Sequence, residues 1–439
     1  MAKILFIQNS NEELYGIMSI ASYVKKRHDM KVITGNQKEI VENYNSFKPD
    51  IVGMYVLTQD HTWALKTAKI IKSINPNAFV LLGGPHPTFY TEILNDKSID
   101  AICIGEGEKP VLNLLDNFNN AHNILSLWVK KGNKIYKNEI DSLLKAEKIP
   151  IPDRTIYKDF PAISQSDVMQ VICSRGCPFN CFFCINYSFK KMYGHTFFRV
   201  RKIEDIINEI IMAKNIRNIK RVLFQDDIFG VNKIWLKNFL EQYKKKVNLP
   251  FYCLLRCDSI TEDLIDMLLE AGCYEVGVGI ESGDKRIREE ILNKHLPDET
   301  ITKAVKILHQ KKIGFHTFNM FSLPEEDLKS AWKTLKLNIK IKPDVGWSAI
   351  FQPYPGTKFC SDEIMDEITK PDFDRFKINY KYSSDFQYIQ RLQKFFMITI
   401  KFPVIQYILP ILIRLPLDNL YDKISKLTWH HLYAKKLKK

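Results

Sequence analysis

One group of residues in this chain has a spacing that chemistry explains better than packing: Cys177-Pro178-Phe179-Asn180-Cys181-Phe182-Phe183-Cys184. Three thiolates separated by three and then two residues can each bind a different iron of a four-iron cubane. The fourth iron is left open to a substrate or cofactor. A zinc site with Cys173 as fourth ligand is the competing reading. It has only half of the usual C-x2-C pairing, and Cys173 belongs to the apolar run VICS rather than to the loop. Nine cysteines in 439 residues, four of them between Cys173 and Cys184, do not look like the disulfide framework of a small secreted domain. The N-terminus MAKILFIQNSNEELYG has neither a long apolar stretch nor a small-residue cleavage site, so a reduced, cytoplasmic setting is expected.

The elements that must carry these cysteines repeat as strand and helix. From 166 to 360, short apolar runs such as DVMQVICS, RVLFQDD and YEVGVGIES alternate with helical patterns such as IEDIINEIIMAKN and ITKAVKILHQKK. About six such units predict a partial (β/α)6 TIM-like barrel with its chemistry at the C-terminal strand ends. The cysteine loop follows the first of these strands. Residues 1–120 alternate in the same way and predict a doubly wound parallel sheet. Glycines end two of its strands, at Leu82-Gly83-Gly84 and Ile104-Gly105-Glu106, where a flat ligand could approach the backbone. A polar stretch, 121–165, reads as a linker with a small hairpin around Gly132. Residues 361–439 read as a helical segment, first apolar and then basic. The fold class is α/β.

CSRGCPFNCFFC, opening a parallel βα barrel, resembles the signature of the radical S-adenosylmethionine (radical SAM) superfamily. By that resemblance Cys177, Cys181 and Cys184 hold a [4Fe-4S] cluster whose open iron binds SAM and cleaves it to a 5′-deoxyadenosyl radical. Phe183 matches the aromatic near adenine. Asp226 and Asp227 end the second strand, where the family has an acidic motif for the methionyl amine. A carboxylate facing an ammonium there is a charge-assisted bond, although an N-cap pair would also use these residues. Arg256 ends the third strand at a recurrent family position. Glu281 and Ser282 lie in Gly279-Ile280-Glu281-Ser282-Gly283, similar to the G-I-E-S motif that faces the ribose and methionyl carboxylate. Phe351 opens the sixth-strand sequence F-Q-P-Y-P-G-T and joins the SAM set. Met320-Phe321-Ser322-Leu323-Pro324-Glu325-Glu326 resembles the fifth-strand motif G-L-P-G-E. There Ser322 and Glu325 replace both glycines, which puts a close backbone approach in doubt.

The N-terminal part resembles the cobalamin-binding domain fused to one large branch of that superfamily. The resemblance implies that Thr58, Gly83, Gly84, His86, Gly105 and Glu106 line a cobalamin site. The cobalt-ligating D-x-H-x-x-G motif is absent: Asp60-His61 is followed by Ala64 and lies on the wrong loop. Its loss is usual in this branch. His86 is read as a loop residue near the corrin.

Net charge is +14, and Arg391–Lys439 holds +8 of it, with ten Lys/Arg against two Asp. That is not the distributed basic stripe of a nucleic-acid groove, and no nucleic-acid partner is expected. The run FFMITIKFPVIQYILPILIRLP is broken by Lys401, Pro403, Pro410 and Arg414, so a spanning helix is not expected. Residues 391–439 could touch a membrane peripherally or form helices over the barrel mouth. The activity expected from the resemblance is methylation of an unactivated carbon of a small-molecule or lipid-like substrate, with an external electron donor such as flavodoxin or ferredoxin. Ring closure, rearrangement or oxidation without methyl transfer is the alternative within enzymes. A zinc-stabilised membrane-binding protein is the alternative outside them.

Overall fold

Strand β1 (Lys3–Ile7) has no polar position from Ile4 to Ile7, and that requires cover on both faces of its sheet. Ile4 and Phe6 turn into one apolar layer, Leu5 and Ile7 into the other, and all four are buried. In the computed structural model, which describes residues 1–370 and 384–431, β1 lies between β2 (Asp29–Ile33) and β3 (Ile51–Tyr55). The sheet continues through β4 (Phe79–Gly83) and β5 (Ala101–Cys103), all five strands parallel, in the order β2-β1-β3-β4-β5. Helices Tyr15–Val24 and Glu108–Asp116 bury Ile17, Met18, Val111 and Leu114 on the Ile4 face. Helices Gln37–Phe47 and His61–Ile74 bury Ile40, Ala64, Ala68 and Ile71 on the Leu5 face. Strand order reverses between β1 and β3, the position at whose C-terminal side a doubly wound sheet opens a ligand crevice. Within 121–165 the hairpin at Gly132 forms as β6 (Leu127–Lys131) and β7 (Lys134–Lys137). It pairs antiparallel with β5 and widens the sheet to seven strands.

By its internal contacts the chain makes two units, and neither is continuous in sequence. The first takes Met1–Met169, Ser188–Ile219 and Tyr354–Ile378; the second takes Gln170–Tyr187, Lys220–Pro353 and Asn379–Lys439. A buried charge cluster holds the later segments to the first unit. Arg154 donates to Glu209 at 2.6 and 3.1 Å and to the Tyr15 hydroxyl at 2.8 Å, and Arg201 pairs with Glu209 at 2.7 Å.

After β8 (Val168–Val171) come two short strands, β9 (Ser174–Arg175) and β10 (Arg199–Val200). The second unit's sheet uses β8, β11 (Arg221–Phe224), β12 (Phe251–Leu255), β13 (Cys273–Glu281), β14 (Gly314–Phe321) and β15 (Val345–Ile350) in consecutive order. Strands β11 to β15 are parallel, and the sheet curls into a half-barrel. Helix Lys233–Lys246 covers its outer side, where Phe239 and Tyr243 pack edge-on against Phe224. The apolar C-terminal segment starts as helix Phe386–Lys401, which buries Ile389, Leu392 and Phe396 against Phe321, Ala331 and Leu335. No described helix is long and apolar enough to cross a membrane.

Candidate functional site

Cys177, Cys181 and Cys184 lie between β9 and helix Ile185–Tyr193, each half-buried and free of any disulfide. The loop is braced from two sides. Phe182 N–H donates to the Leu292 carbonyl at 2.9 Å, and the Asn293 side chain donates to the Asn180 carbonyl at 2.7 Å. Burial pushes the thiol of Cys177 up to about 11 and that of Cys184 up to about 12. Such thiols ionise only when a cation offsets the charge, as iron does. Among the described residues no three His, Cys, Asp or Glu side chains gather as a single metal ion requires. Zinc needs its ligands around one point, whereas a cubane takes each cysteine on a separate iron. The donor set suits the cluster. Cys173 is buried with the core.

The two acids at the end of β11 have different surroundings. Asp226 is buried and accepts from the Cys173 and Ser174 amides and the Ser174 hydroxyl, at 2.5–3.1 Å. Burial raises its carboxyl to about 6 against those hydrogen bonds. It therefore anchors the stem of the cysteine loop. Asp227 is exposed at the strand end; desolvation by the surrounding protein raises its carboxyl, and a hydrogen bond with Asn186 opposes the rise. Its charge reaches Cys177 and Cys184.

Arg256 follows β12 and is fixed on three sides. Its Nε and one terminal nitrogen pair with Asp258 at 3.1 and 2.9 Å. Its guanidinium carbon lies over the Phe179 ring, 3.8 Å from the centroid, and its other terminal nitrogen stands 3.9 Å from Cys181 Sγ. Glu281 ends β13 at φ 68°, next to an irregular register with β14, and accepts a 2.8 Å bond from Lys294. A Cβ on Gly279 would lie 2.4 Å from Glu281 Oε1 and 2.7 Å from Lys294 Nζ, so a side chain there would make this ion pair shift. Lys294 and Arg256 both lower the thiol pKa of Cys181, although burial leaves it raised.

Other residues expected at the SAM site are placed differently. Phe183 is half-buried. Ser282 is fully buried, its hydroxyl accepting from Asp284 N–H at 3.1 Å, which is turn chemistry. Phe351 is buried, with its amide on the Phe321 carbonyl. Lys294 was not picked out in the sequence, and its only signal there was a lysine thirteen residues after Glu281. Ser322 and Glu325, the two residues in place of family glycines, sit at φ 61° and 59°, the left-handed region that glycine favours. Glu325 pairs with Arg286, and the Ser322 hydroxyl is buried without a hydrogen-bond partner.

In the first unit, Thr58, Gly83, Gly84, Gly105 and Glu106 all follow or end strands β3, β4 and β5, on the C-terminal edge of the sheet. Gly105 has φ 79°, and its amide donates to the Thr88 hydroxyl at 3.1 Å. The Tyr193 hydroxyl rests directly over it, 1.7 Å from where a Cβ would stand, so side-chain atoms reach the backbone at this strand end. Glu106 pairs with Arg199, at 2.6 Å for the shorter bond. His86 lies in the short helix Pro85–Phe89, not in a loop, and is fully buried. It stacks on His61 at 5.1 Å, and its Nδ1 is 3.3 Å from the Thr58 hydroxyl. Burial, aided by His61, lowers its pKa to about 3, and its Nε2 is buried without a partner. The open backbone at Gly83 and this orphaned nitrogen fit a polar ligand at the sheet edge, whereas Tyr193 covers the backbone at Gly105.

Comparison with known proteins agrees with both units. The radical SAM superfamily profile matches residues 171–337, and the B12 binding domain profile matches residues 11–115. The "Uncharacterized methyltransferase PH0819" of Pyrococcus horikoshii is 32% identical over 80% of this chain and 79% of its own length. Cytidylyl-2-hydroxyethylphosphonate methyltransferase of Streptomyces wedmorensis is 23% identical over 78% of this chain and 72% of its own. Among solved structures, the radical S-adenosylmethionine methyltransferase TsrM from Kitasatospora setae, with tryptophan and a SAM analogue bound, superposes with a TM-score of 0.66. It shares 15% identity and covers 81% of this chain and 74% of its own. With the cysteine loop at the barrel strand ends, the doubly wound sheet before it and these matches, the chain belongs to the radical SAM superfamily, in the branch that carries a B12-binding domain.

Proposed function

We propose that the protein methylates an unactivated carbon of a small-molecule or lipid-like substrate, using a [4Fe-4S] cluster, SAM and cobalamin. The observation that carries this reading is the convergence at one sheet edge of the cysteine loop with Asp227, Arg256 and the Glu281–Lys294 pair. When bound, these groups supply one-electron cleavage of SAM and a carried methyl group; the protein supplies placement and exclusion of water. Cys177, Cys181 and Cys184 would hold the cluster, with Arg256 and Lys294 offsetting its negative charge at Cys181. Asp226 holds the loop stem. Asp227 would accept the methionyl ammonium, and Phe183 would meet adenine. Thr58, Gly83 and Gly84 would face cobalamin, and at Gly105 the covering Tyr193 hydroxyl would have to turn aside. His86, neutral through the physiological range, would offer its free Nε2 rather than a charge. The methyltransferase names of the relatives support methyl transfer. An external one-electron donor such as flavodoxin or ferredoxin would complete the system, and a peripheral position at a membrane, through residues 391–439, would suit an amphiphilic substrate.

Anaerobic reconstitution followed by iron analysis and visible absorption tests the cluster. A Cys177→Ala, Cys181→Ala, Cys184→Ala triple variant is expected to lose both signals, and their persistence would overturn the ligand assignment. Methyl-deuterated SAM tests the chemistry. Label in the product supports methyl transfer, whereas deoxyadenosine without label in the product points to ring closure, rearrangement or oxidation.

A further inference from the structure

The C-terminal segment is apolar on two sides, and the fold accounts for only one. Leu409, Ile413 and Tyr421 point inward and are buried with Phe395 and Phe396. In the same segment Val404, Tyr407 and Ile411 are 71%, 77% and 65% exposed. Ten of the twenty-one large apolar side chains exposed among the described residues fall between Phe402 and Trp429. An element apolar all round belongs between two apolar phases, and exposed apolar surface concentrated in this way marks a contact site.

Charge identifies the second phase. The acids of the segment turn toward the protein: Asp418 pairs with Arg391 at 2.8 Å, and Asp422 with Lys394 at 3.0 Å. Its cations turn outward. Lys401, Arg414, Lys423 and Lys426 are exposed, and none forms an ion pair among the described residues. In sequence the chain continues as LYAKKLKK, with four more lysines; the structure of 432–439 lies outside the described residues. A second copy would bring the same positive surface against itself. A protein partner would need matching acids around an apolar face. An anionic bilayer offers both halves of the match, an apolar interior for Ile, Leu and Val and phosphates for the lysines, with Tyr407 and Trp429 of the type that settles at headgroup level.

We infer that residues 402–429 form an interfacial anchor that docks the enzyme on an anionic lipid bilayer. This deepens the membrane-proximal reading above and rests on it; the enzyme chemistry is independent of it. The test is flotation of the full-length reconstituted protein with phosphatidylcholine vesicles, with and without phosphatidylglycerol, in low and high salt. Binding to the phosphatidylglycerol vesicles, weakened by salt, is expected. The Ile408→Asp, Ile411→Asp variant should lose about tenfold or more of that binding. The Lys423→Glu, Lys426→Glu variant should lose the preference for phosphatidylglycerol. All four positions are exposed, so unchanged circular dichroism and iron content separate lost docking from lost fold. Absence of vesicle binding by the wild type overturns the inference. So does a lipid-free dimer, seen by light scattering, that the Ile408→Asp, Ile411→Asp variant dissociates, since the face would then belong to a second copy. Because no readout uses turnover, failure here leaves the methyl-transfer reading intact.

Discussion

Ser322→Gly should stabilise the second unit. Ser322 combines two unfavourable features, a left-handed backbone at φ 61° and a buried hydroxyl without a partner. An L-residue in that region gives up about 1–2 kcal/mol, and an unsatisfied buried hydroxyl about 1–3 kcal/mol. Against this, glycine loses about 0.5–1 kcal/mol more conformational freedom on folding, and one buried carbon is worth about 0.8 kcal/mol. The balance is a gain of about 1–2 kcal/mol. For a cooperative unit of this size each kcal/mol raises Tm by roughly 2–4 °C. Differential scanning calorimetry of the cluster-free protein should show the transition of the second unit rising and that of the first unchanged. Ser322→Ala divides the effect, since it removes the hydroxyl and keeps the strained backbone; it should recover only part of the gain. A Tm for Ser322→Gly at or below that of the wild type would refute the reasoning.

Asp226→Ala removes the acceptor for two buried amides and a hydroxyl, and should cost about 3 kcal/mol or more and loosen the cysteine loop. Melting curves and iron retention will show it. Asp227→Asn should stay within about 0.5 kcal/mol of the wild type yet weaken SAM binding by roughly 10- to 100-fold, as loss of a charge-assisted bond does, measured by equilibrium dialysis. His86 has a folded pKa of about 3, below its ordinary 6.5, so the unfolded chain binds the extra proton. Its contribution to stability is complete above pH 6.5 and falls with acid by about 1.4 kcal/mol per unit. In urea denaturation the stability of the wild type relative to His86→Phe should fall by about 2 kcal/mol between pH 7 and 5. Arg256→Met removes the donor beside Cys181 Sγ. A hydrogen bond to a cluster sulfur favours the reduced form, so the midpoint potential of the reconstituted variant, followed by EPR, should become more negative.

Much of this was legible because the signals were local. Apolar runs such as Ile4–Ile7 require a covered parallel sheet, and glycine or acid at strand ends marks the functional edge. The cysteine spacing is a property of eight consecutive residues. Departure from the fifth-strand motif was also visible, but its meaning was not. The backbone keeps the glycine conformation although Ser322 and Glu325 occupy it, whereas the sequence only put a close backbone approach there in doubt. The division of labour between Asp226 and Asp227 could not be read, because both lie past the end of β11 and the partners of Asp226 lie more than fifty residues earlier. The same holds for His61 against His86, where helical placement and stacking arise from tertiary packing. The hairpin at Gly132 announced itself through its turn, whereas its pairing with β5 depends on an open sheet edge that no local pattern records.

The interleaving of the two units bears on biosynthesis. Arg154 emerges from the ribosome well before Glu209 and Arg201, its partners in a buried cluster. Until they follow, the guanidinium has only Glu13, at 2.5 Å, as its counter-charge, and the cluster is incomplete. The charge cluster of the first unit is therefore completed only when residues 188–219 follow. By then β8 and the cysteine loop are already outside the tunnel. Nascent-chain order thus couples completion of the first unit to delivery of the loop.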